Sequence, residues 1–284
     1  MPERRNERFS VHGNTIMSRI DDIPAEYRHT IGGKLDQLEA QHDVEILFAV
    51  ESGSRAWGFP SPDSDFDVRF VYAHRTAWYL AIDPRRDVLE QPIDGLLDIN
   101  GWDLRKALTL MLKPNPVLLE WLSSPIRYRW NDKVSEPLVA LSYRIAHETA
   151  CRYHYLHLAE GQFSRDIFGI ESVKLKKYFY ALRPAMALRW VRLQPNVIPP
   201  MHFPTLMAGC DIGVALSREI GELMEMKATT REIGNGPRRP ALDGFITNEI
   251  ELAKQAGVSP VGTSPATLDE ANSLFRDTLA KLGR

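Results

Sequence analysis

The sequence predicts an α+β protein, an α/β N-terminal part followed by an all-helical C-terminal part. Three observations predict it. Residues 45–50 form a short, mostly apolar run that stops at Glu51-Ser52-Gly53-Ser54, the pattern of a buried strand ending in a turn. Residues 65–72 alternate polar with apolar side chains, the period of a half-buried strand. From about Asp132 onward, strand-like runs give way to long helical patterns.

Taken in order, residues 1–15 read as a flexible arm. Residues 24–41 have helical spacing, with Ile31, Leu35 and Leu38 on one face. After the first strand, residues 55–59 suit a short helical turn and residues 60–64 a loop. Trp78-Tyr79-Leu80 precedes a charged loop at 83–87, and residues 96–100 are a short strand candidate. A helix is expected over 102–112, ended by Lys113-Pro114-Asn115-Pro116. Asn115 is placed to cap a second short helix over 117–122. Further helices are expected over 135–161, 172–193, 211–227, 242–256 and 264–282, with a breaker-rich loop at 234–240. The division falls between 1–130 and 131–284, with the boundary inside 125–135.

The chain has 284 residues, enough for one large or two modest domains with real cores. It is 44% hydrophobic and 25% charged, an ordinary globular balance. Lys and Arg number 35 against 37 Asp and Glu, so there is no global basic excess to advertise nucleic acid, although a local basic face is compatible with that balance. Cys151 and Cys210 make neither a disulfide framework nor a metal motif and point to a reducing cytoplasmic compartment. No apolar stretch follows the charged first residues and no run of about 18 apolar residues occurs, so neither a secretory signal nor a membrane span is expected.

The chemistry concentrates at two places. Gly53-Ser54 is a small-residue turn whose backbone suits a phosphate. Asp65 and Asp67 lie two apart on a strand, so both carboxylates share a face with Arg69, while Phe66, Val68 and Phe70 face the core. Paired carboxylates hold hard cations, and a phosphate cradle beside a Mg²⁺ clamp is what nucleotidyl transfer needs. A solvated strand face is the plainer account of the same two acids. The spacing to Gly53-Ser54 and the apolar strand before it favour the metal role.

This arrangement resembles the polymerase-β-like nucleotidyltransferases, which place Gly-Ser before Asp-x-Asp on the next strand. The longer string Ser52-Gly53-Ser54-Arg55-Ala56-Trp57-Gly58-Phe59, with Ser61 and Ser64-Asp65-Phe66-Asp67-Val68-Arg69, is similar to the predicted nucleotidyltransferases of phages and bacteria associated with RNA-repair ligases. Residues 101–108, Asn115-Pro116 and residues 174–183 extend the likeness, which spans roughly 44–206. The resemblance implies an N-terminal catalytic domain with a small mixed sheet, two ions (Mg²⁺ or Mn²⁺) and an NTP substrate. It also implies a third acid, for which Asp98 is the first choice. Asp94 and Asp103 compete, and Asp103 is equally suited to cap a helix. Relatives of this fold bring a lysine from the helical part to the outer phosphates, and Lys176 and Arg183 are the candidates. A solvated basic helix face is the alternative for that segment. Arg55 suits the triphosphate or an acid, Arg69 an orienting ion pair, and Trp57 and Phe59 either base stacking or core. His147, His154 and His157 share a helix but lack further ligands for zinc.

The expected activity is transfer of a nucleoside monophosphate from an NTP to an acceptor hydroxyl, with release of pyrophosphate. The resemblance favours an RNA or tRNA end as acceptor, with residues 174–183 and Arg238-Arg239 as basic surface. The alternatives are adenylylation of a partner protein and a catalytically silent nucleotide- or RNA-binding module.

Overall fold

The computed structural model describes residues 23–113, 115–145, 148–230, 233–257 and 263–283. The arm expected over 1–15 lies outside the described residues, as does His147. Helix α1 (Ala25–His42) leads into β1 (Glu45–Glu51), the short α2 (Ser54–Trp57) and β2 (Phe66–Ala73). Then come α3 (Thr76–Tyr79), β3 (Val88–Glu90), β4 (Leu97–Asp103), α4 (Leu104–Leu112), α5 (Pro116–Leu122) and β5 (Arg127–Trp130).

These five strands form one mixed sheet in the order β3-β4-β2-β1-β5, in which only β2 and β4 run parallel. β1 sits inside the sheet and is covered on both faces, which is why it reads as an unbroken apolar run. One face packs under α1, whose Ile31, Leu35 and Leu38 meet Phe66, Val68 and Ile99. This matches the expected helical stripe.

The rest of the chain is mostly helical: α6 (Asp132–Ser142), α7 (Glu148–Asp166), α8 (Lys176–Leu193), α9 (Phe203–Ala208), α10 (Val214–Thr229), α11 (Pro240–Gln255) and α12 (Pro265–Lys281). Helices α7, α8, α10 and α11 enclose a second core around Tyr155, Phe179, Leu223 and Ile246. The other face of the sheet is covered by α4, α5, α6 and α12 together, with Leu138, Leu141, Ala271 and Leu279 in one cluster with Leu47 and Val71.

Several expectations change. The helix expected over 102–112 starts at Leu104, because Trp102 and Asp103 continue β4 beside β2 and Asp103 becomes the cap. The stretch 135–161 belongs to two helices, α6 and α7. Strands do not vanish after residue 132: β6 (Ser172–Lys174) pairs with β7 (Asn235–Pro237), taking residues from an expected helix and an expected loop. Asn115 does cap α5, its side chain accepting from the Val117 N–H.

Candidate active site

Topology assembles the site. β1 runs antiparallel to β2, and β2 parallel to β4. The end of β1 and the starts of β2 and β4 therefore meet at one end of the sheet. Glu51, Gly53 and Ser54 arrive from the first, Asp65 and Asp67 from the second, and Asp98 from the third. Asp67 and Asp98 are direct register partners, so their side chains leave the same face side by side.

The turn closes tightly on the acids. A Cβ on Gly53 would lie 1.7 Å from Asp67 Oδ2, so any side chain there collides with that carboxylate. The Ser52 N–H donates to the Asp67 carbonyl at 2.9 Å. Ser54 Oγ donates to Ser64 Oγ at 3.0 Å, and Ser64 Oγ accepts the Ser61 N–H at 2.8 Å. A serine cluster thus ties the turn to the loop before β2. Gly58 ends α2 with φ +85°, a left-handed position that suits glycine.

Arg55 makes no ion pair with the acids, although its charge lowers the Asp67 carboxyl. Its guanidinium donates to the carbonyls of Ser64 (2.6 Å) and Asp65 (3.1 Å) and lies over the Phe66 ring, bracing the loop that delivers the acids. Arg69 does pair as expected. Its Nη2 lies 2.7 Å from Asp98 Oδ2 and 3.5 Å from Asp67 Oδ1. Burial raises the Asp67 carboxyl above its ordinary range, Arg69 lowers it, and Asp98 and Asp65 push it up again.

The cleft above these acids has a volume of about 520 Å³. One wall is Ser52, Gly53, Ser54, Asp65, Asp67 and Arg69; the facing wall is Lys176, Tyr180, Lys227 and Ile233, with Trp57, Ser61 and Asp63 beside them. Of the two expected phosphate-binding cations on α8, Lys176 lines the cleft. Arg183 does not. It is buried, pairs with Glu120 at 2.9 Å and lies over the Trp57 ring. Phe59 is core, stacked on Phe179. Arg238 and Arg239 are engaged by Asp243 and Glu222, and Lys177 by Asp166, so these charges are largely neutralised where an RNA surface was expected. Asp94 sits on the surface in an ion pair with Lys34. His154 and His157 line a separate surface recess.

Two residues of this site were not singled out by sequence. Glu51 is buried; its Oε1 accepts the Asp67 N–H at 2.9 Å and the Gly53 N–H at 3.4 Å, and its Oε2 meets the Tyr128 hydroxyl at 2.5 Å. Burial pushes its carboxyl up to about 7. It locks the acid strand to the turn. Lys227 is 8% exposed and reaches the cleft over the rings of Phe59 and Phe179. Burial and then the charge of Lys176 lower its ammonium to about 8. Its one sequence signal is position: it continues the buried stripe of Ile220 and Leu223 on α10.

The acids, the glycine-serine turn and the lysine wall define a polymerase-β-like nucleotidyltransferase. The chain belongs to the RNA repair pathway DNA polymerase beta family (RlaP), whose family model matches residues 27–277. It is 41% identical over 249 residues to the "Uncharacterized protein YcgL" of Bacillus subtilis (strain 168), covering 88% of this chain and 95% of that one. A solved nucleotidyltransferase-like protein from Exiguobacterium sibiricum 255-15 shares 13% identity over 81% of this chain and 75% of that one, with a TM-score of 0.28. No helix among the described residues is long and apolar enough to cross a membrane.

Proposed function

We propose that this nucleotidyltransferase moves a nucleoside monophosphate from an NTP to the terminal hydroxyl of an RNA, with tRNA ends among the candidates. The supporting observation is the register pairing of Asp67 with Asp98, beside Asp65 and opposite the Lys176–Lys227 wall. The acceptor reading rests on the family's RNA-repair description.

The donor set suits a divalent ion: hard carboxylate oxygens, with Asp67 half-buried among like charges that call for a cation. Asp65, Asp67 and Asp98 would hold Mg²⁺ or Mn²⁺. Such an ion supplies charge neutralisation at the α-phosphate and a more acidic attacking hydroxyl. The chain's own groups do the rest. Gly53 and Ser54 bring backbone close to the phosphates, Lys176 and Lys227 offset the charge of the departing pyrophosphate, and Asp98 takes the hydroxyl proton. The hydroxyl oxygen bonds to the α-phosphorus as the bond to pyrophosphate breaks. In this reading residues 1–130 carry the catalytic acids and 131–284 the helical wall, with α6 and α12 serving as cover for the sheet.

The test is label transfer from each α-³²P-labelled NTP to total RNA with Mg²⁺, with D65A/D67A as control. Label on RNA that vanishes in the variant is expected. Label on a partner protein would replace the RNA acceptor with a protein hydroxyl. NTP binding with no transfer to either would leave a silent binding module and overturn the catalytic reading.

A further inference from the structure

Arg69 stands on the same strand face as Asp67, two residues along, and the pleat aims it at Asp98. Both of its terminal nitrogens are engaged there. Nη1 donates to the carbonyls of Val68 and Asp98, each at 3.0 Å, and Nη2 donates to Asp98 Oδ2 at 2.7 Å while lying 3.5 Å from Asp67 Oδ1. One nitrogen therefore sits between the two register-paired carboxylates. Among the described residues, no group of three or more His, Cys, Asp or Glu is arranged to hold a metal ion together. Asp67 and Asp98 converge on a guanidinium instead.

We infer that Arg69 is the resident counter-cation of the acid cluster, and that a divalent ion gains Asp98 only by displacing it. This rests on the metal-dependent reading above. A guanidinium cannot lose its proton at physiological pH, so the conflict is resolved by movement and not by titration. Two cations within a few ångströms in a half-exposed cleft repel strongly even at an intermediate effective dielectric. The Arg69–Asp98 pair and an ion on Asp98 are therefore competing states. The acid cluster is partly neutralised without metal, and metal binding at Asp98 is weaker than three carboxylates would otherwise give. Arg69 is thus a positioning residue, holding Asp98 in place until it is exchanged.

The experiment is Mn²⁺ titration followed by the EPR signal of the free ion, in nucleotide-free wild-type protein and in Arg69→Met, which keeps the side chain's bulk and removes its charge. Arg69→Met is expected to bind Mn²⁺ about tenfold more tightly, because one repelling charge is gone. Arg69→Lys, which keeps the charge, is expected to stay within about threefold of wild type. Should Arg69→Met fail to fold, Arg69→Gln makes the same comparison. Equal Mn²⁺ affinity in the wild type and the neutral variant would overturn the competition while leaving the metal reading standing. No Mn²⁺ binding in any of them would overturn both, and label transfer in wild type reports separately on the activity.

Discussion

Asp98 and Asp103 stand at opposite ends of one strand, and their surroundings differ in kind. Asp98 is partly exposed beside Asp67, and its side-chain partner is the guanidinium of Arg69. Asp103 is fully buried. Its Oδ1 accepts the Arg105 N–H at 2.8 Å and its Oδ2 the Tyr79 hydroxyl at 2.8 Å, so both oxygens are spent on capping α4 and anchoring α3. An acid saturated by fixed N–H and O–H donors has little left for chemistry. An acid held by a side-chain cation can exchange that cation for another.

That contrast can be broken by mutation. Asp67→Asn, adjacent to Asp98, is expected to lower nucleotidyl transfer by about a thousandfold or more, with the melting temperature nearly unchanged. Asp98→Asn is expected to cost about a hundredfold in kcat, again with little effect on melting. If Asp103→Asn lost more transfer than Asp98→Asn at a temperature where both are folded, the assignment of the two acids would be reversed. Asp103→Ala is expected to lose about 2–3 kcal/mol of stability by denaturant unfolding, from a lost cap and an orphaned Tyr79 hydroxyl, while folded protein keeps its activity.

A pH series sharpens the same contrast. Burial raises the Asp103 carboxyl to about 6 from an ordinary value near 3.8. The folded state then holds a proton that the unfolded state releases. This contribution is fully present below the ordinary value and is lost as pH rises through about 6. Wild type should therefore lose stability relative to Asp103→Asn over that window, read from paired unfolding curves. The smallest effect belongs to the opposite wall. Lys227→Met is expected to raise the KM for NTP about tenfold. In wild type that KM should climb above pH 8, as the lowered ammonium of Lys227 loses its proton, and the climb should be absent in Lys227→Met.

What the sequence revealed follows from how local each signal is. β1, β2 and α1 are written in their own periodicity, because each buries a face that repeats along the chain. The meeting of the glycine-serine turn with Asp67 was expected from their spacing, the apolar strand before them and the family resemblance, and the structure brings them together. β5 was not expected: it carries two arginines, lies at the sheet edge and is only partly buried, so nothing in its pattern demands a sheet. Glu51 read as the first residue of a turn because its partner, Tyr128, is supplied by that same unread strand. Arg183 had the right charge and helical spacing, but Glu120 on α5 claims it, a contact no local pattern encodes.

The packing of α12 has a consequence for biosynthesis. Its Ala271 and Leu279 share a core with α4 and α6, and its Phe275 meets the Tyr79 ring edge-on at 4.9 Å. A ribosome makes the strands of the five-stranded sheet early and this helix much later. Until it emerges, the part of α4 that packs on α12 lacks that cover, and the nascent sheet half presents apolar surface to whatever waits at the exit tunnel. The sheet half is thus the first part of the described chain to be translated and among the last to be finished.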